Sequence, residues 1–520
     1  MESSCRKPRL EWLRGRLAPS FPELLFAALV LGGFARVLSW QALLYDGDTG
    51  WHIRTGALIL ESGAVPRTDP FSFSHAGQTW FAWEWLADVF FAGFARWDGL
   101  RGAVAATVVV LCAAAALLFC WLLRRGVGLW IGLGVTLAAM SASSVHYLAR
   151  PHIFSLLLFT VSLWMLDEDR KRPGPILWLL VPMAALWANL HGGFVALLAS
   201  VALLAATEAW ERHWAGLRRY GALWVWCAVA TLVNPYGWHL HAHVAGYLGS
   251  SWIVENVLEF HSPSIRSEGM VVFAVLLLTG AGCAARALPR DRFAAVLALG
   301  WGLAAMRSAR HVPLFAVAAA PVVASELAAV WGSRALRRAG STLTRILWDA
   351  GQELAARPLW SLAGPCLGLL ALAAVYPAPA AADFPAFRFP VAAVTRNLER
   401  LAPPGAPPRL LSSDVWGGYL IYRLYPRQRV FFDGRSDFYG SALGSEYVEL
   451  LSAGTRWRET LARYDFELAL LPLDWPLASV LDRDPGWELV YADDVARLFR
   501  RRVLAHRSLH PPTAELEYHI

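Results

Sequence analysis

Apolar runs long enough to cross a lipid bilayer recur along most of this chain. A helix needs about 20 apolar residues to span the hydrocarbon core. The chain is 56% hydrophobic and only 17% charged, whereas soluble domains carry about 25% charged residues. These features predict a polytopic α-helical membrane protein with about eleven transmembrane helices. The expected spans lie near residues 21–44, 102–123, 127–146, 152–166, 175–189, 193–209, 221–234, 270–287, 293–306, 311–330 and 360–377.

The distribution of positive charge predicts how these spans are oriented. Cytoplasmic loops of membrane proteins are enriched in Lys and Arg. If residues 1–20 form a basic cytoplasmic tail, the basic clusters of the short loops fall on the cytoplasmic side, with one exception around Arg307 and Arg310. The net charge of +7 is therefore explained by loop positions, and no nucleic-acid partner is expected. The six cysteines form no CxxC pair, so neither a disulfide framework nor a zinc site is indicated.

The composition changes near residue 379, after the last expected span. Proline-rich connectors such as "APPGAPPR" lead into short β-type runs, including "LALLPL" and "ELVYADDVARLFRR", which alternate with helix-compatible stretches. This pattern predicts a small soluble α/β domain over residues 379–520. The transmembrane domain would then cover residues 21–378, and the C-terminal domain would be extracytoplasmic.

Two aspartates open the long first outer loop, residues 45–101, in the stretch "YDGDTGWHIRTG". Asp-Gly-Asp-Thr is favourable turn and capping chemistry, so Asp48 could simply cap the helix that carries Trp51 and His52. Paired carboxylates can also bind a divalent cation such as Mg²⁺ or Mn²⁺, here through Asp46 and Asp48. One of them could instead act as a general base. These roles can coexist.

A second acidic group lies in "FAWEWLADV". Glu84 and Asp88 are four residues apart, so they share one face if this stretch, residues 84–97, is helical. The stretch can be an interfacial helix whose acids face water, or a further short span. A glutamate buried between Trp83 and Trp85 would have a raised pKa and would suit a second catalytic carboxylate.

Basic and amide side chains gather at the same predicted side of the membrane. Arg150 and His152 flank the start of one span, and Asn189 and His191 precede a Gly pair in "WANLHGGF". A further cluster at positions i, i+3 and i+4 would form one helical face; it comprises Arg307, Arg310 and His311. Such arginines fit either a lipid headgroup or the phosphate of a substrate. Ionisable groups at membrane depth are functional candidates.

The order of these features resembles the GT-C superfamily of membrane glycosyltransferases, over roughly residues 20–330. The resemblance is to bacterial RgtA/B/C/D-like and protein mannosyltransferase-like enzymes, with an extra C-terminal extracytoplasmic domain. It implies that Asp46 or Asp48 is the catalytic carboxylate or metal ligand of the first loop, and that Glu84 is the second juxtamembrane acid. The substrate-binding residues expected beside them are Trp51, His52, Asp88, Arg150, His152, Asn189, His191, Arg307, Arg310 and His311.

The function implied is inverting transfer of a hexosyl or pentosyl unit at the outer face of a bacterial cytoplasmic membrane. The donor would be a polyprenyl-phosphate or polyprenyl-diphosphate sugar, and the acceptor a hydroxyl of a glycan, lipid or protein. Two alternatives stay open at the level of sequence. One is a transporter or flippase of lipid-linked sugars, and the other is a non-catalytic membrane scaffold whose outer domain binds a partner.

Overall fold

The architecture was obtained as a computed structural model, which describes residues 17–266, 269–335, 341–378 and 383–502. Several charges used to predict orientation lie outside these residues, namely those of the N-terminal tail before Leu17 together with Arg337 and Arg338. Residues 503–520 of the predicted C-terminal domain also lie outside them.

The chain is mostly helical up to residue 401. The helices in this part are α1 Phe21–Gly33, α2 Val37–Ala42, α3 Asp48–Ser62, α4 Trp85–Arg124, α5 Leu129–Ser143, α6 His152–Lys171, α7 Leu180–Leu190, α8 Phe194–Trp210, α9 Trp214–Ala230, α10 His239–Gly249, α11 Ser251–Asn256, α12 Met270–Ala287, α13 Arg292–Arg307, α14 Val312–Ala335, α15 Thr342–Ala355, α16 Gly364–Val375, α17 Val391–Arg396 and α18 Leu398–Leu401. Short 3-10 turns lie at Ser144–His146, Pro175–Leu179, Leu258–Phe260 and Ala309–His311.

Within the described residues, four helical segments are long and apolar enough to cross a membrane: Trp85–Arg124, Leu129–His146, Met270–Ala287 and Ala309–Ala335. Shorter apolar helices accompany them at Phe21–Gly33, Pro175–Leu190, Phe194–Trp210 and Gly364–Val375. The chain therefore has the architecture of a multi-pass membrane protein. The total of about eleven spans stays a prediction, because several expected spans form helices shorter than the bilayer core requires.

Two expected boundaries differ from the structure. The first span, expected as one run, is divided into α1 and α2, and the indole of Trp40 donates to the carbonyl of Phe34 at 2.7 Å. Conversely, α4 joins the expected interfacial helix to the span that follows it. Only Asp98 and Gly99 leave helical geometry, and Gly99 takes a positive φ of 57°, which glycine tolerates best.

The C-terminal part contains a four-stranded sheet with the order β1-β2-β4-β3. β1 and β2 are parallel, whereas β4 pairs antiparallel with both β2 and β3. The elements are β1 Leu410–Ser412, α19 Asp414–Leu424, α20 Ser436–Leu451, α21 Trp457–Arg463, β2 Leu468–Pro472, α22 Pro476–Leu481, β3 Trp487–Ala492 and β4 Ala496–Arg501.

This sheet region packs directly on the helical body through glycines of α3 and α19. A Cβ atom at Gly50 would overlap the carbonyl oxygen of Gly418, and one at Gly418 would overlap the carbonyl oxygen of Gly47. Glycine is needed at these positions because the two backbones approach more closely than any side chain allows. The contact fixes the C-terminal part against the start of α3, where the first aspartates lie.

Candidate active site

The acidic turn before α3 places Asp46 and Asp48 in different roles. Asp46 Oδ1 accepts the backbone N–H of Asp48 at 2.9 Å, whereas Gly47 is the N-cap residue and Asp48 is the first residue of the helix. The expectation that Asp48 caps α3 is therefore wrong, because Asp46 makes the local bond to the helix start. The Asp48 carboxylate is left to face the interior of the site.

Arg150 lies between these carboxylates and holds both. Its Nη1 is 2.6 Å from Asp46 Oδ2, and its Nη2 is 3.1 Å from Asp48 Oδ2. Burial raises the pKa of Asp48 well above its usual value, and the neighbouring Asp46 raises it further while Arg150 opposes the shift. The two aspartates are thus bridged by a guanidinium.

A bound divalent cation was one expectation for this acidic pair. Among the described residues, no group of three or more His, Cys, Asp or Glu side chains could hold a metal ion. Arg150 instead occupies the position between Asp46 and Asp48 where a bridging cation would have to sit. The donor set around the two aspartates therefore does not fit a metal.

Three further ionisable groups form a buried chain beside the aspartates. His52 Nδ1 lies 2.6 Å from Asp88 Oδ1, and His52 Nε2 lies 3.9 Å from Glu84 Oε2. Trp51 covers the imidazole at a ring distance of 3.6 Å. Burial lowers the pKa of His52 and raises the pKa of Glu84 to about 8. Near pH 7, the imidazole of His52 is therefore neutral and the side chain of Glu84 is protonated.

A second arginine faces the same space from the turn before α14. Arg310 Nη1 donates to the hydroxyl of Tyr247 at 3.0 Å, and its guanidinium lies 4.6 Å from the ring centre of Phe260. Its Nε is 3.5 Å from Glu259 Oε2. Aromatic contacts on a guanidinium hold its plane while leaving N–H groups for an anion.

Two histidines complete the helical side of the site. The His152 Nε2 atom lies 2.6 Å from the carbonyl oxygen of His146. The His191 Nδ1 atom lies 2.7 Å from Ser155 Oγ, and its Nε2 atom lies 3.6 Å from Glu84 Oε1. Burial lowers the pKa of His191 well below its usual value. The imidazole of His191 is therefore neutral near pH 7 and available for hydrogen bonding.

The C-terminal part supplies another wall, from the stretch "FDGRSDF" at residues 432–438. Asp437 Oδ2 lies 2.9 Å from His243 Nε2. A Cβ at Gly434 would overlap the Asp48 carboxylate. Arg435 is 2% exposed and donates to Asp69 Oδ1 of the first loop at 2.8 Å. This buried ion pair ties the wall to the helical body.

These groups enclose a cavity with a volume of about 130 Å³. A wider groove of about 830 Å³ runs between the helical body and the C-terminal part. Both spaces are bordered by Asp48, Arg150, Tyr247, Glu259, Gly434 and Asp437. The cavity thus adjoins the groove at these shared residues.

Most of the residues expected from sequence meet at this cavity. Its walls include Asp48, Trp51, Glu84, Asp88, Arg150, His152, His191 and Arg310. Asp46 borders the groove, and His52 lies behind the wall against Asp88.

Three expected residues lie elsewhere. Asn189 Oδ1 accepts the indole N–H of Trp85 at 2.7 Å, which ties α7 to α4. Arg307 ends α13 and is exposed, and the His311 Nδ1 atom lies 3.3 Å from the carbonyl oxygen of Ala304. The expectation that Arg307, Arg310 and His311 share one helical face is wrong, because a 3-10 turn at Ala309–His311 interrupts the helix.

Several residues of the site were not expected from sequence. Glu259 and Tyr247 stand among ordinary apolar neighbours in the sequence, and nothing in their spacing marks them. The stretch "FDGRSDF" carries a signal, since five polar or glycine residues interrupt an apolar run. Its partners on the helical body are distant in sequence, so pairing it with the site required the tertiary structure.

No protein-family model and no curated protein sequence matches the chain. Several solved structures do match the chain. The oligosaccharyltransferase of Archaeoglobus fulgidus in its apo form superposes with a TM-score of 0.55 at 12% identity, covering 90% of this chain and 70% of that one. The oligosaccharyltransferase AglB from Archaeoglobus fulgidus, in complex with an inhibitory peptide and a dolichol-phosphate, gives a TM-score of 0.55 at 13% identity, over 89% and 70% of the two chains.

A bacterial structure is also similar. ArnT from Cupriavidus metallidurans bound to undecaprenyl phosphate gives a TM-score of 0.49 at 14% identity, covering 92% of this chain and 98% of that one. At such identities structural similarity establishes a fold, and the fold expected from the sequence is the one found. The chain has the fold of the archaeal oligosaccharyltransferase, which is the GT-C fold expected from the sequence.

Proposed function

We propose that this protein is an inverting glycosyltransferase that uses a polyprenyl-phosphate or polyprenyl-diphosphate sugar as its donor. The acceptor would be a hydroxyl group at the outer face of a bacterial cytoplasmic membrane. The observation that carries the proposal is a single cavity where two arginines meet a set of buried carboxylates at the end of a membrane helix bundle. This arrangement offers an anion-binding half and a proton-accepting half.

The arginines suit the phosphate of the donor. Transfer creates a phosphate leaving group, and preorganised positive charge stabilises the charge that develops on it. Arg310 is held by Tyr247 and Phe260, and Arg150 is held by Asp46 and Asp48. Bidentate guanidinium contacts would also fix the orientation of the phosphate.

Asp48 suits the general base. In the proposed step, the acceptor oxygen forms a bond to the anomeric carbon while the bond from that carbon to the phosphate oxygen breaks. The leaving phosphate keeps the electron pair, and the hydroxyl proton passes to the Asp48 carboxylate. A raised pKa improves this carboxylate as a base near neutral pH. Glu84, protonated at pH 7, would donate a hydrogen bond to the sugar or the phosphate.

The fold supports a lipid-linked donor. AglB, whose fold this chain shares, was solved in complex with a dolichol-phosphate and an inhibitory peptide. A polyprenyl chain would lie in the membrane beside the helices while its phosphate reached the arginines. The partners proposed are thus a membrane lipid, a lipid-linked sugar and a glycan, lipid or protein acceptor.

The test combines lipid identification with substitution of the base. Mass spectrometry of lipids that co-purify with the protein should detect a polyprenyl-phosphate sugar. Asp48→Asn should abolish transfer of labelled sugar from that lipid while membrane insertion persists, whereas exposed Asp349→Asn should leave transfer unchanged. Full transfer by both Asp46→Asn and Asp48→Asn would refute the proposal. Movement of the lipid-linked sugar across vesicle membranes, with no covalent product formed, would favour a transporter of lipid-linked sugars instead.

A further inference from the structure

Glu259 lies between Arg150 and Arg310, two of the arginines that line the cavity. Its Oε1 is 2.9 Å from Arg150 Nη1, and its Oε2 is 3.5 Å from Arg310 Nε. Burial alone would raise the pKa of Glu259, but Arg150 and Arg310 together hold it well below its usual range. One ionised carboxylate thus bridges both guanidinium groups.

The same N–H groups are those that a donor phosphate would need. Carboxylates and phosphates both bind guanidinium groups through pairs of oxygen atoms, so Glu259 resembles the phosphate in charge and in geometry. The remaining Nη contacts of Arg150 go to Asp46 and Asp48. A phosphate that bridged Arg150 and Arg310 would therefore compete with the Glu259 carboxylate.

The segment that carries Glu259 is placed to move. It runs over residues 250–266 and contains α11 and the turn Leu258–Phe260, which is held to the helix bundle by Ser308 Oγ donating to the carbonyl of Glu259 at 3.0 Å. The N–H of Ala309 donates to the carbonyl of His261 at 2.9 Å. Leu258, beside Glu259, is 80% exposed. No residue of the turn Leu258–Phe260 is fully buried, whereas Ile253 earlier in the segment is. The turn can therefore be displaced without breaking a buried core contact.

We propose that Glu259 is an internal ligand of the arginine pair that occupies the phosphate position when no donor is bound. The donor phosphate displaces it, and the turn Leu258–Phe260 moves away from Arg150 and Arg310. Arg310 gives up its contact with Phe260 and keeps its hydrogen bond to Tyr247. Because Glu259 borders both the cavity and the groove, this movement opens one space to the other once the donor is in place. The inference rests on the proposed function, since it takes the arginines as the phosphate site.

The first test is binding of farnesyl phosphate, a short polyprenyl monophosphate, to the full-length protein in detergent. Glu259→Gln removes the competing charge and should tighten this binding by about tenfold. Glu255→Gln, an exposed change of the same kind on the same segment, should bind like the natural protein. Inorganic phosphate serves as a second probe, and the same gain with it would assign the effect to the phosphate rather than to the lipid chain.

The second test needs no variant. Hydrogen exchange of the natural protein should increase over residues 250–266 when farnesyl phosphate is added, and should stay constant in α12. Binding by the natural protein with no gain in Glu259→Gln, or with unchanged exchange in this segment, would overturn the inference and leave the proposed function intact. If neither the natural protein nor Glu259→Gln bound farnesyl phosphate, both the inference and the proposed function would be overturned.

Discussion

Arg150 Nη2 lies 3.1 Å from Asp48 Oδ2, and the same guanidinium also holds Asp46 and Glu259. Arg150→Gln would leave Asp46 and Asp48 without this counter-charge, and Glu259 would keep only Arg310. Removing one partner of a buried ion pair costs about 3–5 kcal/mol, so we expect a clearly lower melting temperature in detergent and no transfer. Substitution of exposed Arg36 by Gln is the matched control, and equal melting temperatures for the two variants would contradict the role of Arg150.

Substitution of Arg310 and of Arg307 compares an arginine of the cavity with an arginine of the surface. Arg310 borders the cavity, whereas Arg307 is exposed at the end of α13. Arg310→Gln should weaken farnesyl phosphate binding by about tenfold or more, equivalent to at least about 1.4 kcal/mol, while Arg307→Gln should bind normally. Calorimetric titration measures both, and equal losses in the two variants would contradict the assignment of Arg310 to the phosphate.

The pKa of Glu84, near 8 in the folded protein, predicts a pH-dependent stability. An unfolded glutamate titrates near pH 4.3, so between about pH 4.5 and pH 8 the folded state binds the extra proton. The contribution of Glu84 to stability is complete at low pH and is lost as pH rises to 8, by about 1.4 kcal/mol per pH unit.

Glu84→Gln isolates this effect. The melting temperature of the natural protein minus that of the variant should fall steadily from pH 5 to pH 8. This difference cancels the titration of His52 and His191, which both proteins share. A difference that stayed constant with pH would show that Glu84 is ionised in the folded protein.

The glycine contact between α3 and α19 predicts that stability depends strongly on the size of the side chain at position 418. Gly418→Ala would press a methyl group into the carbonyl of Gly47, and overpacking of this kind costs about 1–3 kcal/mol. We expect a lower melting temperature and reduced transfer. Gly93→Ala lies on α4 in open space and should be neutral or slightly stabilising. Comparable losses in both variants would contradict the role of the close approach, because alanine favours a helix more than glycine does.

Asp437 tests whether the C-terminal part takes part in transfer. Its carboxylate pairs with His243 at 2.9 Å and borders the cavity. Asp437→Asn should lower transfer at least tenfold with little change in melting temperature, whereas exposed Asp474→Asn should have no effect. Undiminished transfer by Asp437→Asn would assign the C-terminal part a purely structural role.

Much of the fold could be predicted from local sequence. Apolar run lengths predicted a multi-pass helical body, and alternating short runs after residue 379 predicted strands, because both signals come from neighbouring residues. The kink at Asp98 and Gly99 was harder to predict. The Arg101 guanidinium and the Tyr376 hydroxyl both bond to Asp98, and the second contact joins distant parts of the chain.

The site was predictable where charge stands out against an apolar background. Asp48, Glu84, Arg150 and Arg310 were expected to lie together because ionisable groups are rare at membrane depth, and all four border one cavity. Glu259 was missed because its outer loop also carries Glu255, so nothing in the sequence sets Glu259 apart. The error at Arg307 has a physical origin, since helical spacing was assumed across a 3-10 turn.

The wall formed by Gly434 and Asp437 has a consequence for biosynthesis. A ribosome makes Asp48 early and this wall late, so the cavity stays open to water until the last-made sheet folds against α3. The arginines and carboxylates would be hydrated during that interval, and their pKa shifts would arise only on docking. A chain arrested after α16 would therefore carry the helices of the protein without the wall that completes the cavity.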